Sequence, residues 1–195
     1  MLVMRPIAVL YATREGHTRR IAEHVATVLR AREMDPYVQD LRGTADPSDL
    51  KKFAGAILAA SVHQGTHEPE IIAFVKKHRS DLETMPAAFL SVTLSEAGVE
   101  RSDATSDEHA EFAADVQKMI DRFVAETGWH PNGIKPVAGA LLYSKYNFLV
   151  RLIMKRIAKK SGGDTDTSRD YEYTNWADLD QFVEEFSLEV CGTER

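Results

Sequence analysis

Six consecutive residues near the N-terminus, Thr13, Arg14, Glu15, Gly16, His17 and Thr18, are of the types and spacing that could hold a phosphate. They follow an apolar run, Ile7-Ala8-Val9-Leu10-Tyr11-Ala12. They lead directly into Arg19-Arg20-Ile21-Ala22-Glu23-His24-Val25, whose apolar residues recur at helical spacing. The loop therefore sits at a helix N-terminus. Backbone N–H groups there have no intrahelical partner, and the helix dipole favours an anion. Two threonine hydroxyls add donors, Gly16 lets the backbone come close, and Arg14 brings a positive charge. Neither common nucleotide fingerprint is present: there is no Gly-x-x-x-x-Gly-Lys-Ser/Thr and no Gly-x-Gly-x-x-Gly. The chemistry on offer is capture of one terminal phosphate rather than of a dinucleotide.

Positioning such a loop takes alternating strands and helices. Residues 6–11 read as a first strand, and residues 16–32 as a helix with Ile21, Val25, Val28 and Leu29 on one face. Residues 36–41 form a short second strand, and Asp46-Pro47-Ser48-Asp49-Leu50 looks like a helix start. Residues 55–60 and 87–92 are continuous small or apolar runs, as expected of strands buried on both faces. Residues 68–78 read as a helix, 94–106 as a polar loop, and 107–126 as a long helix ending at Thr127-Gly128. A fifth strand spans 134–143. A basic helix, 145–160, stops at Ser161-Gly162-Gly163, and a last helix runs from near Trp176 to Val190. This alternation implies a single α/β domain over 1–195, with helices on both faces of a parallel sheet.

The N-terminal segment resembles the flavodoxin signature: Val9-Leu10, the aromatic Tyr11, then Thr13, Gly16, Thr18, Ala22 and Val25. The C-terminal third narrows the resemblance. Gly139-Ala140-Leu141-Leu142-Tyr143-Ser144-Lys145-Tyr146-Asn147-Phe148, Ile153-Met154-Lys155 and Tyr173-Thr174-Asn175-Trp176 are similar to the menaquinone-dependent protoporphyrinogen dehydrogenase branch of flavodoxin-like proteins. So are Phe74-Val75-Lys76-Lys77-His78 and Met85-Pro86-Ala87-Ala88-Phe89-Leu90-Ser91-Val92. The most specific part is Ser161-Gly162-Gly163-Asp164-Thr165-Asp166-Thr167.

The resemblance implies a flavodoxin-like, doubly wound, five-stranded parallel sheet of order 2-1-3-4-5, with an extra basic amphipathic helix after the fifth strand. It also implies FMN at the carboxyl edge of the sheet, a porphyrinogen electron donor and a quinone acceptor. The loops after the first, third and fourth strands would then contact FMN: Thr13, Arg14, Glu15, Gly16, His17 and Thr18; Ser61, Val62, His63 and Gly65; Ser91, Val92, Thr93 and Leu94. His63 is the candidate base for substrate protons, bulk water being the alternative, and His63 or His67 could stack on the flavin. The chain departs from the family at Gln64 and His67, where aromatic residues are expected, which bears on flavin stacking and on substrate. The other readings are a flavodoxin-type electron carrier and an NAD(P)H/quinone reductase of the same fold.

Bulk properties narrow the classes. The chain has 195 residues, 44% hydrophobic and 28% charged, enough for one substantial core. A net charge of −6 gives no support to nucleic-acid binding. Cys191 is the single cysteine, so no internal disulfide forms, which fits a cytoplasmic setting. No Ser/His/Asp or Cys/His set is present, and His63 and His67 lack the His-Glu-x-x-His pattern of a zinc site. In the basic helix, Phe148, Leu149, Leu152, Ile153, Met154 and Ile157 are apolar, while Lys145, Arg151, Lys155, Arg156, Lys159 and Lys160 are cationic with no acidic residue among them. By itself this reads either as a core-packed helix with a solvated basic face or as a helix that lies on anionic lipid or meets an acidic partner. The resemblance favours lipid, and with it a peripheral place on the inner face of a bacterial membrane.

Overall fold

The computed structural model describes residues 5–43, 46–47, 49–160 and 163–193, apart from the side chains of 157, 159 and 160. In chain order the elements are β1 (Ile7–Ala12), α1 (His17–Ala31), β2 (Pro36–Asp40), β3 (Gly55–His63), β4 (Thr66–His67), α2 (Pro69–Leu82) and β5 (Ala87–Thr93). There follow α3 (Leu94–Val99), α4 (Ser106–Thr127), β6 (Gly133–Ala138), β7 (Ala140–Leu141), α5 (Phe148–Lys160), β8 (Tyr171–Glu172) and α6 (Trp176–Thr193).

The five long strands pair in parallel in the order β2-β1-β3-β5-β6, which is the expected order once the short hairpin strand β4 is set aside. Successive strand residues point to opposite faces, and both faces are covered. Ile7, Val9 and Tyr11 of β1 pack with Ile21, Val25 and Leu29 of α1 and Leu179, Val183 and Phe186 of α6. Ala8, Leu10 and Ala12 pack on the other face with Ile71, Phe74 and Val75 of α2 and Phe123 of α4. Crossovers on opposite sides of β1 thus leave the loops after β1 and β3 side by side at the carboxyl edge, the topological switch point of such sheets.

Several segments differ from the sequence reading. The segment after the third strand is no loop: β3 runs on to His63 and folds back through Gln64-Gly65 into β4. Gln64 and Gly65 both have positive φ, 52° and 74°, the pattern of a two-residue hairpin turn. Residues 94–106 were expected to be open loop, yet α3 starts at once, its first turn capped by Thr93 Oγ1 accepting from Ser95 N at 3.2 Å. Thr93 followed three residues on by Glu96 is a helix-start spacing, which the polar composition of the segment masks. The fifth strand divides at Gly139. The Gly139 N–H donates to Thr93 O while its carbonyl accepts from Tyr173 N, so the chain leaves the main sheet and pairs β7 with β8.

The basic helix begins at Phe148 rather than Lys145, because Tyr143–Lys145 makes a 3-10 turn and the Asn147 side chain caps α5 by accepting from Val150 N. The helix expected from Asp46 is only a 3-10 turn, Leu50–Lys52, capped by Asp49, and Ser48 in that start lies outside the described residues. Ser161 and Gly162 of the expected helix stop also lie outside them.

The hairpin turn gives a clean stability test. A Cβ at Gly65 would meet no atom within 4 Å, so space does not require glycine there; the positive φ does. Gly65→Ala should therefore cost about 1–2 kcal/mol in chemical denaturation, and Gln64→Asn should gain part of that back by suiting the turn better.

Candidate functional site

The β1–α1 loop is closed from within. The Gly16 N–H donates to Thr13 Oγ1 at 3.0 Å, which turns the Thr13 hydroxyl back into the loop. Gly16 is the N-cap of α1 and carries no capping side chain, and the first turn of α1 holds no acidic residue. The protein therefore supplies no side-chain acceptor to the α1 N-terminus. Thr18 Oγ1, in the same turn, is buried and has no hydrogen-bond partner. Buried polar groups are almost always paired. An uncapped helix N-terminus beside an orphaned buried hydroxyl is the donor set that suits a phosphate, and so the residues present fit the phosphate end of the flavin nucleotide that the resemblance implies.

Arg14, expected to face the phosphate, is held elsewhere: its Nε donates to Glu68 Oε2 at 3.1 Å. Glu68 is the centre of a cluster. Its side chain is 0% exposed, and Oε1 accepts from Ser61 Oγ at 3.0 Å and lies 3.1 Å from His63 Nε2. Glu15 Oε2 lies 3.3 Å from the same His63 nitrogen. The His63 N–H is not aimed at either oxygen well enough for a directed hydrogen bond, so the attraction is that of an ion pair. Burial works against a charged imidazole, but Glu15 and Glu68 together outweigh it and lift the His63 pKa to about 9. Glu68 is pulled the other way: burial favours its neutral form, yet His63 and Arg14 hold its carboxyl below the usual range. His63 is thus a fixed cation at neutral pH, which is the wrong charge state for a general base. An open cleft of about 460 Å³ lies beside the cluster, with Arg14, His63, Thr66 and Lys76 in its lining.

The remaining sequence candidates divide. Ser61 is tied to Glu68, and Val62 pairs with His67 across the hairpin. The Gly65 carbonyl accepts from Arg122 Nη1 at 3.3 Å. His67 does not lie at the surface to stack on a ring. It is 3% exposed, its Nε2 is 2.8 Å from Ser91 Oγ, and its ring packs edge-on against Phe89 and Phe123. Burial pushes its pKa down to about 4, so it is neutral. Ser91 is fully buried, so the hydroxyl expected to face a flavin is turned into the core instead. Val92 joins the α1/α6 core, the Thr93 hydroxyl is used by α3 and Met119, and Leu94 packs toward β7 and α5. His17 bonds the Thr174 hydroxyl at 2.8 Å, and Thr174 donates to Ala138 O, which fastens the start of α1 to the β6 exit.

Sequence reasoning missed Arg42, whose guanidinium donates to Thr13 O from the end of β2, and Glu68, the hub. The contacts each makes with the β1–α1 loop carry no local signal, since Thr13 lies 29 residues from Arg42 and Arg14 lies 54 from Glu68. Among the described residues no group of His, Cys, Asp or Glu could hold a metal ion.

The two histidines of the hairpin should bound stability from opposite sides. His63 binds its proton more tightly when folded, so its contribution is complete below about pH 6.5 and is lost as pH rises toward 9. His67 is held neutral, so its contribution is complete above about pH 6.5 and is lost as pH falls toward 4. Thermal unfolding across this range should peak near pH 6.5–7. His63→Gln should flatten the alkaline limb and His67→Asn the acid limb; unchanged limbs would show that these ring environments are wrong.

Comparisons with known proteins agree with the fold. A flavodoxin domain family model (Flavodoxin_5) matches residues 8–168. Protoporphyrinogen IX dehydrogenase [quinone] of Escherichia coli strain K12 is 30% identical over 179 residues, covering 92% of this chain and 93% of that protein. The protein of the same name from Leishmania major is 30% identical over 186 residues, covering 91% of this chain and 73% of its own length. Among solved structures, a short-chain flavodoxin associated with a PDU bacterial microcompartment superposes with a TM-score of 0.54 at 13% identity, covering 99% of this chain and 100% of that one. A flavodoxin variant from Pseudomonas aeruginosa gives 0.53 at 13% identity, covering 95% and 99%. With its sheet order, its uncapped β1–α1 cradle and nearly full-length likeness to these relatives, the chain belongs to the flavodoxin domain family, on the branch of the quinone-dependent protoporphyrinogen IX dehydrogenases.

Proposed function

We propose that this protein binds FMN and oxidises protoporphyrinogen IX to protoporphyrin IX, passing the electrons to a quinone. The observation that carries the reading is the uncapped α1 N-terminus with the orphaned Thr18 hydroxyl, in a chain that matches its dehydrogenase relatives over nearly all its length. Bound FMN would accept two electrons at a time from the porphyrinogen and deliver them to the quinone. The chain's own residues do the rest. Thr18 and the first N–H groups of α1 would hold the phosphate, and the Gly16 N–H to Thr13 Oγ1 bond fixes the shape of the loop. Glu68 holds Arg14, Ser61 and His63 in one arrangement and so fixes the hairpin against the phosphate loop. His63 keeps its proton at Nε2 and presents a positive charge beside the hairpin end. Substrate protons then pass to solvent, the second of the two routes the sequence left open.

The acceptor side is supported by α5. This helix packs inward along a narrow stripe, Ala158 buried and Arg151 and Met154 half-buried, with Arg151 donating to the carbonyls of Tyr143 and Tyr146. It leaves Phe148, Leu149, Leu152 and Ile153 exposed, Phe148 by 83%. Lys155 and Arg156 are exposed beside them, and no acidic residue occurs in the helix. Exposed apolar residues flanked by cations suit a helix lying in the interface of an anionic membrane, where a lipid-soluble quinone is held. Among the described residues no helix is long and apolar enough to cross a membrane.

Two measurements test this reading. Anaerobic protoporphyrinogen IX should bleach the FMN-loaded protein, and menaquinone should restore its absorbance. Rapid reduction by NADPH with none by porphyrinogen would favour a general quinone reductase; one-electron exchange with a redox protein and no turnover of either donor would favour a carrier. In flotation with anionic phospholipid vesicles, the protein should rise with the lipid at low salt and less at high salt. Lys155→Gln and Arg156→Gln should each weaken the association about fivefold. Equal flotation of the double variant would remove α5 from the account.

A further inference from the structure

Beneath α5 lies an apolar cavity that none of the site residues above explains. Its volume is about 210 Å³. Five parts of the chain wall it: Leu94, Ala97 and Gly98 of α3, Phe112 of α4, Leu141 of β7, Ala158 of α5, and Tyr173. The walls are held firmly. The Tyr173 hydroxyl donates to Asp164 Oδ2 and the Tyr143 hydroxyl to Asp164 O, each at 2.8 Å, which pins the segment after α5 over the cavity. The α3–α4 side is close-packed: a Cβ on Gly98 would come within 2.5 Å of the Phe112 ring. The lining carries one charge of each sign, Arg101 and Asp115, so it offers no net attraction to an ion.

The position of the cavity says what it could receive. Leu94 is the first residue beyond β5, at the carboxyl edge where the phosphate loop also lies, so the cavity begins beside the proposed flavin site. Ala158 in its roof belongs to the helix whose outer face is exposed and apolar. A dry apolar cavity of about 150 Å³ holds a benzene molecule, so this one has room for roughly eight carbon atoms. That is too small for a naphthoquinone or a porphyrinogen and, with a mostly apolar lining that offers little to a quinone's carbonyls, suits part of an aliphatic chain. We propose that the cavity under α5 binds the first part of the prenyl chain of the quinone acceptor, with the head group left at the sheet edge. This inference rests on the quinone reading above and names the part of the acceptor that the protein recognises.

The test begins with the chain alone. Farnesol, a prenyl alcohol without a quinone ring, is titrated into the FMN-loaded protein carrying ¹³C-methyl alanine. The Ala97 and Ala158 methyl resonances should shift saturably. Ala158→Phe, which fills the cavity, should abolish the Ala97 shift; Ala97→Leu, with the Ala158 methyl observed, serves if the first variant does not fold. Dodecanol, an unbranched chain, should bind at least tenfold more weakly. Reoxidation of the reduced protein should then show a KM at least tenfold lower for a prenylated naphthoquinone than for menadione, which lacks the chain. The filled variant should lose that preference while its kcat with menadione is unchanged. Absence of methyl shifts, or equal KM values in the wild type, overturns the proposal. Equal binding of dodecanol also overturns it and assigns the cavity to a lipid acyl chain. Farnesol binding that the filling substitutions abolish, without turnover of any quinone, upholds the prenyl site and overturns the acceptor reading instead.

Discussion

One buried carboxylate governs the arrangement of the site. Glu68, shut off from solvent at the start of α2, must have cationic and hydrogen-bonding partners, because an uncompensated buried charge costs several kcal/mol. It takes them from two places: Arg14 on the phosphate loop, and Ser61 and His63 at the end of β3. Satisfying one acid therefore draws the β1–α1 loop against the β3–β4 hairpin. Arg14 is half exposed and screened by solvent, so its loss costs less than the about 3–5 kcal/mol of a fully buried pair, though more than a surface ion pair because Glu68 itself is buried. The same requirement takes Arg14 and His63 out of the roles their positions in the sequence invite. Arg14 is committed to the carboxylate, and His63 is locked as a cation.

The sequence made legible what has a local cause. The alternation of buried runs with amphipathic helices gives the sheet and its order, because each element must bury its own apolar face. The strand-to-helix turn that carries Thr13, Gly16 and Thr18 is legible for the same reason. Two errors had signals that were available. Ser91 shares its strand face with Ala87 and Phe89, so period-two alternation already turns it toward the α2/α4 core. Gln64-Gly65 between two extended segments is a two-residue hairpin signal. The Arg14–Glu68 link had none, because a salt bridge across 54 residues leaves no trace in composition or spacing.

The C-terminal third shows a different relation between pattern and cause. Its Gly-Gly-Asp-Thr-Asp-Thr segment carries the most specific resemblance, and its described part has a structural job. Asp164 receives both the Tyr143 and Tyr173 hydroxyls and so fastens the α5 region to the β7–β8 ladder. Beyond that attachment α5 leaves Phe148, Leu149, Leu152 and Ile153 exposed. The hydrophobic stripe that reads as ordinary amphipathicity in sequence is thus divided by the fold into a narrow packed edge and a broad free one.

The central claim is that the β1–α1 loop is a phosphate cradle completed by Thr18. The dissociation constant of FMN from the protein tests it most directly, measured by flavin fluorescence for wild type and for Thr18→Val, which keeps the shape and removes the hydroxyl. The account predicts that wild type binds FMN stoichiometrically, and that the variant folds normally but binds about 10- to 100-fold more weakly, the cost of a hydrogen bond to a charged group. Equal affinity in the two proteins, or failure of the wild type to bind FMN at all, would contradict it.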